Sequence, residues 1–152
     1  MKTLYVPIIL LILSIPTASA LASCDQIVAD ASAGVVRDTS TGLTWSRCVL
    51  GQTGNNCETS ISTYSWVDAL NKARASELGG LKNWRLPKIE ELKIAHGCLA
   101  KKLPRIGPSI VWSASANLDY ATDAWTFDFG TGEAVVHARD SKLHVLLVAS
   151  PQ

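Results

Sequence analysis

The chain has 152 residues, with 14 lysines and arginines against 13 aspartates and glutamates. That length accommodates one domain rather than several. The near-neutral balance excludes the large basic excess of a dedicated nucleic-acid binder. Met1 and Lys2 open the chain with positive charge. The apolar run Ile8 to Leu13 follows, and Thr17, Ala18, Ser19 and Ala20 are small. A charged start, a short apolar core and a small-residue close make residues 1–22 a secretory signal peptide. Its uninterrupted core is far shorter than the about 20 apolar residues of a spanning helix. Cleavage fits after Ala20 or after Ala22. Leu21-Ala22-Ser23-Cys24 also resembles the lipobox of bacterial lipoproteins, whose cysteine is acylated, and membrane attachment is expected only by that route. Loss of the signal removes Lys2, so 13 basic residues then face 13 acidic ones.

Residues 23–34 read as a linker and 35–152 as the folded domain, long enough to bury one core. Val35 to Asp38 reads as a strand, Thr39 to Gly42 as a turn, and Leu43 to Cys48 as a second strand with Leu43 and Trp45 on one face. A Gly/Asn-rich loop follows. Ser65 then caps a helix in which Trp66, Ala69, Leu70 and Ala73 form one apolar stripe, with Asp68 at the third position and Gly79-Gly80 as the stop. A second helix spans about Lys88 to His96, with Ile89, Leu92 and Ala95 inward and Gly97 ending it. Ile110 to Ser115 is a strand. Trp125, Phe127 and Phe129 alternate with Thr126 and Asp128 as in a half-buried strand. Gly130-Thr131-Gly132 is a hairpin turn, Glu133 to Ala138 pairs back, and Leu143 to Val148 is a last apolar strand. A β-hairpin, two helices and an antiparallel meander make the fold α+β.

Cys24, Cys48, Cys57 and Cys98 permit three disulfide pairings. Cys48–Cys57 across the small loop is the simplest, leaving Cys24–Cys98. Acylation of Cys24 would instead leave Cys98 free. There is no C-x-x-C and no paired histidine spacing, so no zinc site is expected.

Four stretches carry a resemblance. They are Asp38-x-x-Thr41-Gly42-Leu43-x-Trp45, then Trp66-x-x-Ala69-Leu70, then Asn83-Trp84-Arg85-Leu86-Pro87 with Glu91-Leu92, and finally Val111-Trp112-Ser113-x-Ser115 with Ala124-Trp125-x-Phe127-x-Phe129-x-x-Gly132. Together they resemble the Lcl C-terminal domain family, named for the C-terminal domain of a collagen-like bacterial adhesin. The resemblance implies a C-type-lectin-like fold, with two helices packed on a twisted antiparallel sheet. It also implies a secreted or periplasmic setting. Lys88 stands where the family has Thr, and the family's arginines near the C-terminus are missing from His144 to Val148.

Trp45, Trp66, Trp84, Trp112 and Trp125 read as core and motif residues, because aromatic side chains dominate buried area. Arg85 reads as a tie to carbonyls or a carboxylate, since its five donors hold several acceptors at once, and Pro87 starts the helix. The candidate ligand-binding residues are Lys82, Lys88, Lys93, Lys101, Lys102 and Arg105, a basic run opposed only by Glu90 and Glu91. Asp119 to Asp140 carries the opposite sign. Such asymmetry creates a local potential despite zero net charge. The tripeptide that C-type lectins use for calcium-bound sugar is missing, and Asp119 with Asp123 do not fill the six to eight positions calcium takes. His96, His137 and His144 are scattered, and no nucleophile has a recognisable base beside it. No catalytic residue, cofactor or metal is expected. The expectation is a non-catalytic binding module of the bacterial envelope, periplasmic or secreted. Its partner would be an envelope protein, a polyanionic glycan or another copy of itself. The alternatives are a periplasmic inhibitor or immunity-type protein that neutralises a toxin or enzyme by plugging it and, ranked last, an enzyme of unknown type.

Overall fold

The computed structural model describes residues 24–107 and 109–151. The expected signal peptide, 1–22, lies outside them. The fold is α+β, with two helices, a five-stranded and a three-stranded antiparallel sheet.

The segment 23–34, expected as a linker, contains a strand, β1 (Ile27–Asp30), which pairs with β2 (Val35–Asp38). Ile27 is buried in the core and Cys24 is bonded to Cys98, so the start of the segment is anchored, and the pairing with β2 holds the rest. Asp38 organises the turn into β3 (Thr44–Ser46). Its carboxylate accepts from the Ser40 hydroxyl at 2.6 Å, the Ser40 amide at 2.9 Å and the Thr41 amide at 3.3 Å. Gly42 completes the turn at φ 72°, and a Cβ there would sit 2.8 Å from Pro151.

Helix α1 (Trp66–Arg74) starts as expected, with the Ser65 hydroxyl accepting from the Asp68 amide, and it buries Ala69 and Ala73. It ends at Arg74, well before Gly79-Gly80. The chain turns there so that Leu78 reaches the core, and the Leu78 carbonyl accepts from the Trp84 indole at 3.0 Å. Strand β4 (Trp84–Arg85) joins the first sheet beside the C-terminal strand β8 (Val148–Ala149).

Helix α2 (Ile89–Leu99) runs past Gly97, the expected stop. The extra turn places Leu99 fully inside and brings Cys98 to Cys24. A lysine ammonium has no lone pair to offer a helix N-terminus. The Glu91 carboxylate instead accepts from the Lys88 amide at 2.8 Å, and the Ser115 hydroxyl accepts from the Ile89 amide at 3.2 Å.

The second sheet is a meander of β5 (Ile110–Ala116), β6 (Asp123–Asp128) and β7 (Glu133–Ala138). The expected outward position of Thr126 is corrected: it is 0% exposed, and its hydroxyl donates to the Val135 carbonyl. Ala124 and Thr126 on one face of β6 and Phe127 on the other are all buried, so the simple alternation of a half-buried strand does not hold.

Leu143 to Val148 is not one continuous strand. Tyr64 bridges Leu143, Val111 bridges His144, the Leu50 amide donates to the Val145 carbonyl, and Ser46 bonds Leu147 through both backbone and hydroxyl. The stretch changes partner every one or two residues. Val145, Leu147 and Ala149 pack into the cluster under α1, with Trp84, Leu86 and Trp112. Leu146 and Val148 pack into the other, with Trp45, Leu92, Leu99 and Phe127. This segment is therefore the wall between two apolar clusters.

Candidate binding surface

Arg85 projects from β4 toward the start of α2. Its guanidinium donates to both oxygens of Glu91, at 2.8 and 2.7 Å, and to the Leu86 carbonyl at 3.2 Å. It also reaches the Ser150 hydroxyl at 3.3 Å. Burial opposes the Glu91 charge, but the bonds from Arg85 and the Lys88 amide outweigh it and hold the carboxyl below the usual glutamate range. Arg85 thus joins β4, α2 and the C-terminal strand, and its donors are already engaged.

The remaining cations behave differently. Lys82 pairs with Glu77 at 3.3 Å, both side chains largely exposed. Lys88, Lys93, Lys101, Lys102 and Arg105 are exposed and make no salt bridge among the described residues. The structure does not gather all six. Lys88 precedes α2 and Lys101, Lys102 and Arg105 follow it, so about 16 Å of helix separates the two ends. Lys93 lies on the exposed face of α2 with Ile94 and Gly97, near the middle of the helix and slightly closer to Lys88 than to Lys101. Arg105 holds φ 57° between buried Leu103 and Ile106, a backbone region uncommon for a side-chain-bearing residue.

Trp45, Trp84 and Trp112 are buried. Trp66 and Trp125 are only half-buried. The Trp66 indole donates to the Ser113 carbonyl at 2.8 Å, and the Arg139 guanidinium lies 4.4 Å from its ring centre. That ring is roofed by a cation rather than open to a ligand.

Two features escaped the sequence. One is a cleft of about 400 Å³ between the β1–β2 turn and the Cys48–Cys57 loop, lined by Ala33, Gly34, Leu50, Gly51, Gly54 and Leu78 among others, with no charged side chain. Its walls come from four segments far apart in sequence, so no local pattern marks it. The other is the tip between β5 and β6, where Leu118 is 96% and Tyr120 66% exposed.

The three histidines are separate. His96 contacts the Phe129 carbonyl, His137 the Thr126 hydroxyl and His144 the Ile110 carbonyl. The cysteines are paired as Cys24–Cys98 and Cys48–Cys57. Among the described residues no cluster of three His, Cys, Asp or Glu could hold a metal, and no helix is long and apolar enough to cross a membrane.

A disulfide-stapled α+β domain, with two helices set against antiparallel sheets, is the class this architecture defines. The chain belongs to the Lcl C-terminal domain family, whose model matches residues 34–149. Strand β1 lies ahead of that match. No curated protein matches the chain. Among solved structures it is similar to the snake venom toxin convulxin, at 13% identity and a TM-score of 0.47, over 72% of this chain and 91% of that one. At that level the likeness carries no inference about ligand or activity.

Proposed function

We propose that this protein is a non-catalytic binding module that works outside the cytoplasm of a bacterial cell. Its partner is anionic: a sulfated glycan or an acidic face of an envelope protein. The observation that carries the reading is the set of exposed cations without ion-pair partners among the described residues, Lys93, Lys101, Lys102 and Arg105, along and beyond the free face of α2. Lys88 extends the set at the far end of the helix, and Lys82 contributes less because Glu77 already meets it. Several such charges acting together attract a polyanion even when net charge is near zero.

Two disulfides and the signal-like N-terminus support export to an oxidising compartment, periplasmic or secreted. The Cys24–Cys98 bond uses the sulfur that acylation would need, which favours the form without a lipid anchor.

Immobilised heparin tests the reading. The parent should be retained at low salt and released as salt rises, because exposed charges are screened over about 8 Å at physiological ionic strength. The triple variant Lys93→Glu, Lys101→Glu, Lys102→Glu should pass through unretained while keeping its unfolding midpoint. Equal retention of parent and variant would overturn it.

A second reading, an inhibitor that plugs a toxin or enzyme, draws on the exposed Leu118 and Tyr120. The loop that carries them is ordered by the Asn117 amide on the Asp123 carbonyl and the Asp123 amide on the Tyr120 carbonyl.

A further inference from the structure

Each sheet in this fold has two edges, and three of the four are short or covered. Strand β4 has two residues. Strand β1 has four, and the Ile27 amide is turned back onto the Cys24 carbonyl. Strand β5 is interrupted between Trp112 and Ala116, and the chain crosses its edge: the Ala114 amide donates to the Pro87 carbonyl at 2.7 Å and the Trp112 amide to the His144 carbonyl at 3.0 Å.

The fourth edge, β7, is different. It spans six residues in unbroken register with β6. The Arg139 amide donates to the Thr122 carbonyl at 2.9 Å on the same ladder. Hydrogen-bonded pairs alternate in antiparallel strands, so Glu133, Val135 and His137 face β6, while Ala134, Val136 and Ala138 turn their backbone groups outward. Of those groups, the Ala138 carbonyl accepts from Ser141 at 3.0 Å. The others have no partner among the described residues. Proteins usually blunt such an edge with lysine, proline, a bulge or a covering loop. Strand β7, Glu-Ala-Val-Val-His-Ala, has no lysine, no proline and no bulge, and Val135 is 38% exposed.

We propose that the outer edge of β7 accepts an extended segment of a partner protein by antiparallel strand addition, with a basic residue at the segment's C-terminal end. Main-chain pairing supplies the affinity in this mode, and alternate side chains supply selectivity. The backbone groups of Ala134 and Val136 dictate an extended polypeptide as the occupant. Charge dictates its polarity: Glu133 stands directly opposite Asp128, and neither carboxylate has an ion-pair partner among the described residues. A segment running antiparallel to β7 brings its C-terminal end beside that pair. This surface is independent of the cations of α2.

The test uses the folded, disulfide-bonded protein, labelled for amide detection by NMR, and the capped hexapeptide Thr-Val-Thr-Val-Thr-Lys. At saturating peptide, hydrogen exchange at Ala134, Val136 and Ala138 should slow by about tenfold or more, as newly paired amides become protected. Exchange in β1 should not change. The same peptide N-methylated at the amides that would face β7 should protect nothing, a control that needs no altered protein. Val136→Pro removes one outward donor without breaking the β6 ladder, and it should abolish the peptide effect while the β6 amides keep their protection. Unchanged exchange at millimolar peptide would overturn the proposal. So would equal protection by the methylated peptide. Protection of the same amides that grows with protein concentration alone would assign the edge to a second copy and overturn it as well.

Discussion

The guanidinium of Arg85 meets the carboxylate of Glu91 through two parallel hydrogen bonds, 2.8 and 2.7 Å long. Paired geometry of this kind is among the stronger charge-assisted contacts. Replacing Arg85 by Ala strands a partly buried carboxylate and removes the tie to Ser150. The expected loss is about 1–3 kcal/mol, the usual consequence of leaving such groups unpaired. Thermal unfolding checks this, and the drop should be the same with or without heparin. Lysine at the same position should restore little, because it lacks the planar fork.

Acid should weaken the fold through the same pair. Glu91 is held below the usual carboxylate range, with burial opposing its charge and Arg85 overcoming that opposition. Asp38 is also lowered, burial again opposing and the bonds from Ser40 and Thr41 prevailing. A carboxyl with a lower pKa in the folded state stabilises the fold above its unfolded value, and that contribution disappears as pH falls through the folded value. Stability should therefore begin to fall below the ordinary range of about pH 4. Urea unfolding at a series of pH values would show a smaller acid loss for Glu91→Gln than for the parent. Equal losses would contradict the assignment.

The two disulfides should contribute unequally. Cys48–Cys57 closes a loop of sequence separation 9 and Cys24–Cys98 one of 74. In the chain-entropy account these correspond to about 2.7 and about 4.5 kcal/mol. Paired serine substitutions followed by denaturant unfolding would rank them, and peptide mapping without reductant would confirm the pairing.

Gly132 should resist replacement. It sits at φ 77°, and a Cβ there would meet the His96 ring at 2.9 Å. Gly132→Ala should destabilise by about 1–2 kcal/mol, from backbone strain and the clash together. Adding His96→Ala should recover the clash component only, so the double variant tests the contact directly. Full recovery would show that backbone strain contributes nothing.

The fold class was legible because its main cues are local. The stripe Trp66, Ala69, Leu70, Ala73 and the stripe Ile89, Leu92, Ala95 both face inward as their spacing requires. What was not legible depends on contacts far apart in sequence. Helix α2 passes Gly97, and its last residues meet distant partners: Leu99 is buried in the core and Cys98 is bonded to Cys24, more than seventy residues earlier. The lysine at its start is tolerated because Ser115 supplies an acceptor. Thr126 is buried because both faces of β6 are covered, a property of the assembled layers. The basic run was visible as composition, but its division into two ends of a helix was not. The open edge of β7 is defined by what lies beside it, which no single segment encodes.

The wall formed by residues 145–149 has a consequence for biosynthesis. Its alternate side chains complete both apolar clusters, and its backbone receives Ser46, Leu50 and Trp84 from segments made much earlier. Until that stretch leaves the ribosome, both clusters lack the wall that they share. Stable packing of this domain must therefore wait until residues 145–149 have been made, as strongly non-local contacts require. A domain that stays open until then suits the proposed export: it can be threaded through a narrow translocation pore in the interval and close where its cysteines can be oxidised.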